Sequence, residues 1–223
     1  MRPCRGSTVA ILITGALIGG TGSSLQADSL GVDFSEGPCS VCYYDCSRDC
    51  TVGYAFTVNQ ATTVDALGVW DFNSSGFGEN HPVGLWTATG TLIAATTVTN
   101  TSIPVPSADT RGRWLFTSIA PRLLTPGQYV TAAFYSAYSD GFAAYDISVT
   151  APGIALGDAR EATTGSLTYP STVDSFADPG WFGPSFEIAS SVPESSPAAL
   201  DLLGFALIAV LIARARAGQA DRA

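Results

Sequence analysis

The chain has 223 residues, no lysine, 23 glycines, 13 prolines and 13% charged residues, and ten arginines against nineteen acids give a net charge of −9. That balance argues against nucleic acid or an anionic lipid surface as partner, since both are bound through clustered positive charge. The stretch between the two apolar ends, roughly 160 residues, is long enough for one domain with its own core.

The chain opens with Arg2 and Arg5, then the apolar run Val9 to Ile18, then the helix breakers Gly19, Gly20 and Gly22. A cleavage point follows Ala27 in Leu25-Gln26-Ala27. Positive start, short apolar core and cleavage site in that order predict a secretory signal peptide helix over residues 1–27, and the run is too short to span a bilayer. Residues 28–52 form a Cys-rich segment with Cys39, Cys42, Cys46 and Cys50 spaced C-x2-C-x3-C-x3-C. In a reducing compartment this density would suggest zinc or an iron–sulfur cluster. Behind a signal peptide it predicts two disulfides instead, with all three pairings open. The loops they close are very short, so they constrain the segment locally.

Residues 53–190 read as strands. Short β-branched and aromatic runs predict strands at 54–58, 63–70, 83–87, 91–98, 113–119, 128–135, 143–150, 166–169 and 185–188. Turn residues separate them: Asn59-Gln60, Thr89-Gly90, Thr125-Pro126-Gly127, Asp140-Gly141 and Asp178-Pro179-Gly180. Period-two alternation, as in Tyr54-Ala55-Phe56-Thr57-Val58, fits sheets with one buried face. Closely spaced strands without an amphipathic helix between them predict an all-β fold, an antiparallel β-sandwich.

Candidate chemistry is sparse. The loop from Asp71 to Glu79 begins D-x-N-x-S-G, the opening of a calcium loop. Oxygen ligands at Asp71, Asn73 and Ser75 would wrap one ion, with Gly76 at the sharp turn. Pro82 stands where the bidentate acid belongs, so Glu79 would have to substitute. The rival reading is a polar loop without metal, and no other cofactor is expected. His81, the single histidine, has no G-x-S-x-G elbow to serve and reads as a loop residue. Trp70, Trp86 and Trp114 fall in predicted strands and read as core, which leaves Trp181 as the candidate exposed aromatic.

The stretch 56–98, with LGVWD, HPVGLW and GTLIAATTV, resembles a β-sandwich module of exported bacterial proteins that has no established activity; the resemblance extends loosely to Trp114-Leu115-Phe116 and 124–129. At the far end, Val192, Pro193 and Glu194 precede an apolar run, and Arg214 and Arg216 follow it. From Pro197 to Ala213 a helix would rise only about 25 Å, short of the roughly 30 Å hydrocarbon core. Asp201 shortens the clean run further, and the arginines would keep the last residues, 217–223, cytoplasmic. Residues 191–216 resemble the PEP-CTERM sorting signal, with Ser195 where that family has its second proline. Together the resemblances imply an exported, non-catalytic protein of the cell surface or extracellular matrix, flanked by two removable helices. The partners they imply are signal peptidase, exosortase, extracellular polysaccharide and, transiently, the inner membrane. The competing expectations are a secreted hydrolase acting on that polysaccharide and a plain single-pass anchored periplasmic domain.

Overall fold

Alternation decides which side chains of β4 (Cys50–Val58) turn inward: Tyr54, Phe56 and Val58 are buried, while Ala55 and Thr57 are partly open. The computed structural model describes residues 29–35, 43–144, 147–175 and 180–190, all within one compact unit, residues 26–191. Among them are fifteen strands and no α-helix. The signal peptide, Cys39, Cys42 and the whole sorting signal lie outside the described residues.

Two antiparallel sheets dominate. The five-stranded one runs β1 (Ser29–Leu30), β15 (Pro184–Ile188), β5 (Thr62–Phe72), β9 (Gly112–Leu124) and β8 (Ile103–Val105). The six-stranded one runs β14 (Thr172–Val173), β13 (Ile154–Thr163), β4, β10 (Gly127–Tyr135), β6 (His81–Thr87) and β7 (Leu92–Val98). Two short ladders complete the fold: β11 (Phe142–Ala143) with β3 (Tyr43–Tyr44), and β12 (Ile147–Thr150) with β2 (Val32–Ser35). Successive strands repeatedly change sheet, β4 to β5, β5 to β6 and β9 to β10, so the connecting loops gather at the ends of the sheets. Gly90, at φ 87°, makes the tight turn between β6 and β7, which pair in the same sheet.

The sheets share one apolar core in a sandwich-like arrangement. Phe56 of the six-stranded sheet stacks on Phe186 of the five-stranded sheet, ring centroids 4.6 Å apart. Phe34, on β2, lies among Trp70 (4.7 Å), Trp114 (5.6 Å) and Phe182 (5.3 Å). Trp70, Trp86 and Trp114 are buried, as expected. The core also draws on Val32, Phe34, Cys50 and Val52, all upstream of Gly53.

Three strand expectations change. β13 is absent from the sequence reading, because Ala155, Gly157, Asp158 and Glu161 carry little β-propensity. The fold absorbs Gly157 and Asp158 as a bulge against β4, between Leu156 and Ala159. Residues 166–169 form no strand; the segment is held instead by Tyr169, whose hydroxyl donates to Ala88 O at 2.6 Å, and by the Thr168 amide on Thr51 Oγ1 at 3.3 Å. The run expected at 143–150 contributes two strands, β11 and β12, with different partners.

Candidate functional site

The richest cluster of polar side chains sits where the β5–β6 loop meets the β10–β11 loop. Asn73 (φ 58°), Ser74 (φ 53°) and Gly76 (φ 85°) take left-handed backbone, which Asn and Gly tolerate best. Asp71, 1% exposed, organises the turn: Oδ1 accepts from the Gly76 amide at 2.9 Å, and Oδ2 accepts from Arg113 Nε at 2.9 Å. Asn73 is exposed and its amide is held by Arg111 O at 2.7 Å, while the Ser75 hydroxyl donates to Phe72 O at 3.4 Å. Glu79 turns away from the others and accepts from the Ser136 amide at 2.7 Å and the Ser136 hydroxyl at 2.6 Å.

Asp71, Asn73 and Ser75 line one cavity, and Glu79 is not part of its lining. Asp71 is committed to Arg113 and Gly76, and Glu79 to Ser136; no group of three His, Cys, Asp or Glu suited to a metal ion occurs among the described residues. Millimolar calcium is expected to leave the melting temperature unchanged, since a cation would first have to displace Arg113. A rise in melting temperature that Asp71→Ala abolishes would restore the ion, by mass action on the native state.

His81 opens β6, and its ring is fully buried. Nδ1 lies 3.0 Å from Phe134 O and Nε2 lies 3.0 Å from Asp140 Oδ2. Both ring nitrogens therefore stand within hydrogen-bond distance of an oxygen. Asp140 also accepts from the Gly78 amide at 2.8 and 2.9 Å and from the Glu79 amide at 3.2 Å. Phe77 and Tyr135 pack on the imidazole at 4.8 and 4.5 Å. Asp140 thus ties the two loops and the histidine together. Sequence reading saw it only as a turn residue, because its 59-residue separation from His81 leaves no local pattern.

A cavity of about 300 Å³ opens beside this cluster, lined by Asp71, Asn73, Ser75, Phe77 and Asp140 among others. Both of its carboxylates are already occupied by internal donors. Trp181 departs from expectation, at 7% exposed. It packs edge-to-face on Tyr44 and Phe142. Cys46 pairs with Cys50, Cα to Cα 6.1 Å, one of the bonds the spacing left open.

Burial pushes the Glu79 carboxyl up, but hydrogen bonds from the Ser136 amide and hydroxyl and the nearby His81 ring outweigh it, so it is held below its ordinary value of 4.5. A carboxyl depressed in the folded state stabilises above the unfolded pKa, and that contribution fades as pH falls through the folded value. Below about pH 4.5 the wild type should therefore lose stability more steeply than Glu79→Gln. Glu161 has the opposite sign: burial, reinforced by Asp174, raises it, so its ionised form is unfavourable and protonation relieves that cost. Glu161→Gln should accordingly stabilise the domain at neutral pH and flatten the acid response in the other direction. Melting temperatures across pH 3–7 decide both signs.

No model of a known protein family matches the chain, and no curated protein matches it. Among the described residues no helix is long and apolar enough to cross a membrane.

Proposed function

We propose that the chain is an exported, non-catalytic β-sandwich protein of the cell surface or extracellular matrix. A signal peptide (1–27) would direct export, and a C-terminal signal (191–216) would be read by exosortase after transient insertion in the inner membrane. Extracellular polysaccharide is the partner this reading implies. The observation that carries the non-catalytic part is His81: the single imidazole of the chain is fully buried and both of its nitrogens are engaged. A general base has to reach the proton it removes, and this ring has neither a free nitrogen nor an open face. The Cys46–Cys50 pair adds support for an oxidising compartment.

Intact mass of protein recovered from producing cells tests the proposal. The mature chain should begin at Asp28, carry no free thiol at Cys39, Cys42, Cys46 or Cys50, and end between Val192 and Ser196 where exosortase is present. In cells lacking exosortase it should keep Ala223. Neutral replacement of Arg214 and Arg216 should impair processing by loosening membrane topology. Surface-released protein that retains the complete tail would defeat the sorting claim and favour a plain anchor; hydrolysis of polysaccharide by the purified domain would defeat the non-catalytic one.

A further inference from the structure

A second cavity, about 210 Å³, lies beside the Cys46–Cys50 disulfide. Its inner wall is Trp181 and Phe142, at 7% and 2% exposure, and part-buried Tyr44 completes the aromatic set. Trp181 meets Tyr44 at 5.5 Å and Phe142 at 5.3 Å, both edge-to-face. In that arrangement Trp181 Nε1 is buried without any hydrogen-bond acceptor. A buried donor left unmatched is destabilising, and native structures keep few of them. Around the mouth stand Asp45 and Arg48, both exposed and in no hydrogen bond or ion pair among the described residues, together with half-buried Glu161. The disulfide closes the short loop that carries Arg48, and Asp45 immediately precedes that loop.

We propose that this cavity binds one neutral sugar ring of a glycan, with the apolar ring face on the Tyr44–Trp181–Phe142 wall, an oxygen accepting from Trp181 Nε1, and hydroxyls paired to Arg48, Asp45 and Glu161. Three features of the cavity select that chemistry. Its aromatic wall asks for an apolar face, its free donors ask for oxygen acceptors, and its carboxylates ask for hydroxyl donors; a sugar ring offers all three. A hydrocarbon would leave Arg48 and Glu161 desolvated without partners. A polyanion would face Asp45 and Glu161. The volume lies below the roughly 300–1,000 Å³ of drug-sized pockets, which limits the occupant to a single ring. This assignment rests on the reading of polysaccharide as the extracellular partner and gives that reading an address on the fold.

Saturation-transfer NMR on the mature protein, with glucose, galactose, mannose and N-acetylglucosamine as probes at millimolar concentration, tests it. At least one sugar should receive saturation. Trp181→Phe removes the unmatched donor together with the five-membered ring of the indole, so affinity should fall at least roughly tenfold, the worth of one hydrogen bond, while the melting temperature drops as the vacated volume opens a cavity. Arg48→Ala, at an exposed site, should weaken binding with the melting temperature unchanged. No transfer from any of the four sugars, or equal affinity in wild type and Trp181→Phe, overturns the site. Preferential binding of glycine or phenylalanine over every sugar overturns the ligand class. Co-sedimentation with matrix polysaccharide from producing cells separates the two levels: sedimentation without sugar binding at Trp181 sinks the site alone. Sugar binding by a protein that is never exported sinks the functional reading alone.

Discussion

Phe34→Ala will destabilise the domain by about 3–5 kcal/mol, the range for a large aromatic removed from a rigid core. Phe34 is fully buried and touches three aromatic partners, Trp70, Trp114 and Phe182. Those rings come from β5, from β9 and from the segment before β15, so no single neighbour can move into the vacated space without breaking its other contacts. The residue stands on a four-residue strand whose ladder partner among the described residues is β12. Its loss therefore also weakens the attachment of β2 to the rest of the fold. Urea unfolding at constant slope measures the change as a shift in midpoint. A cost under about 1 kcal/mol would mean that β2 is not part of the core.

Asp33→Ala, one position earlier, should cost roughly 2–3 kcal/mol by leaving donors without an acceptor. The Asp33 carboxylate is 7% exposed and accepts from Trp114 Nε1 at 2.8 Å, the Ala108 amide at 2.8 Å and the Ser107 hydroxyl. Ser107 and Ala108 lie near the surface and can turn to water, whereas the Trp114 indole N–H is sealed in the core. The expected cost is mostly that one orphaned donor together with the lost clamp on the 107–109 turn. Asp33→Asn keeps an oxygen in place and should cost less than half as much. Equal effects from the two substitutions would show that packing, not hydrogen bonding, is what Asp33 supplies.

Where apolar alternation is unbroken, sequence and structure agree closely. Val83–Thr87 and Gln128–Tyr135 were expected as strands and fall inside β6 and β10, because β-branched and aromatic residues on one face leave a helix no apolar stripe. The turn at Asn59-Gln60 falls between strands as expected, and Thr125-Pro126 separates β9 from β10, which already begins at Gly127. Strands whose stability comes from distant partners were hidden. β2 is four residues with an acid in the middle, and only β12, more than a hundred residues later, explains it. β13 contains Gly157 and Asp158, and its bulge is a property of the ladder with β4 rather than of the local residues.

The site was less legible than the fold for a related reason. Asp71, Asn73, Ser75 and Glu79 were grouped by spacing, yet the two acids answer to partners remote in sequence: Arg113 for Asp71, Ser136 for Glu79. Spacing reports which ligands a loop contains and is silent on which of them the fold has already spent. Trp181 shows the converse. Its Pro- and Gly-rich surroundings suggested exposure, and a neighbour 137 positions away, Tyr44, covers it.

The last strand, β15, is seated between β1 and β5 and places Phe186 on Phe56. A chain delivered from its N-terminus thus lacks an interior strand of one sheet until residue 188 has arrived. Before then the β5 edge is unpaired, and the aromatic core has no lid over Phe56. Folding in this topology is a terminal event, governed by long-range closure rather than by early hairpins. In the proposed export route the five-stranded sheet would be completed only with the arrival of the residues just ahead of the sorting signal. Crossing and completion of the fold would then be ordered in time by strand placement.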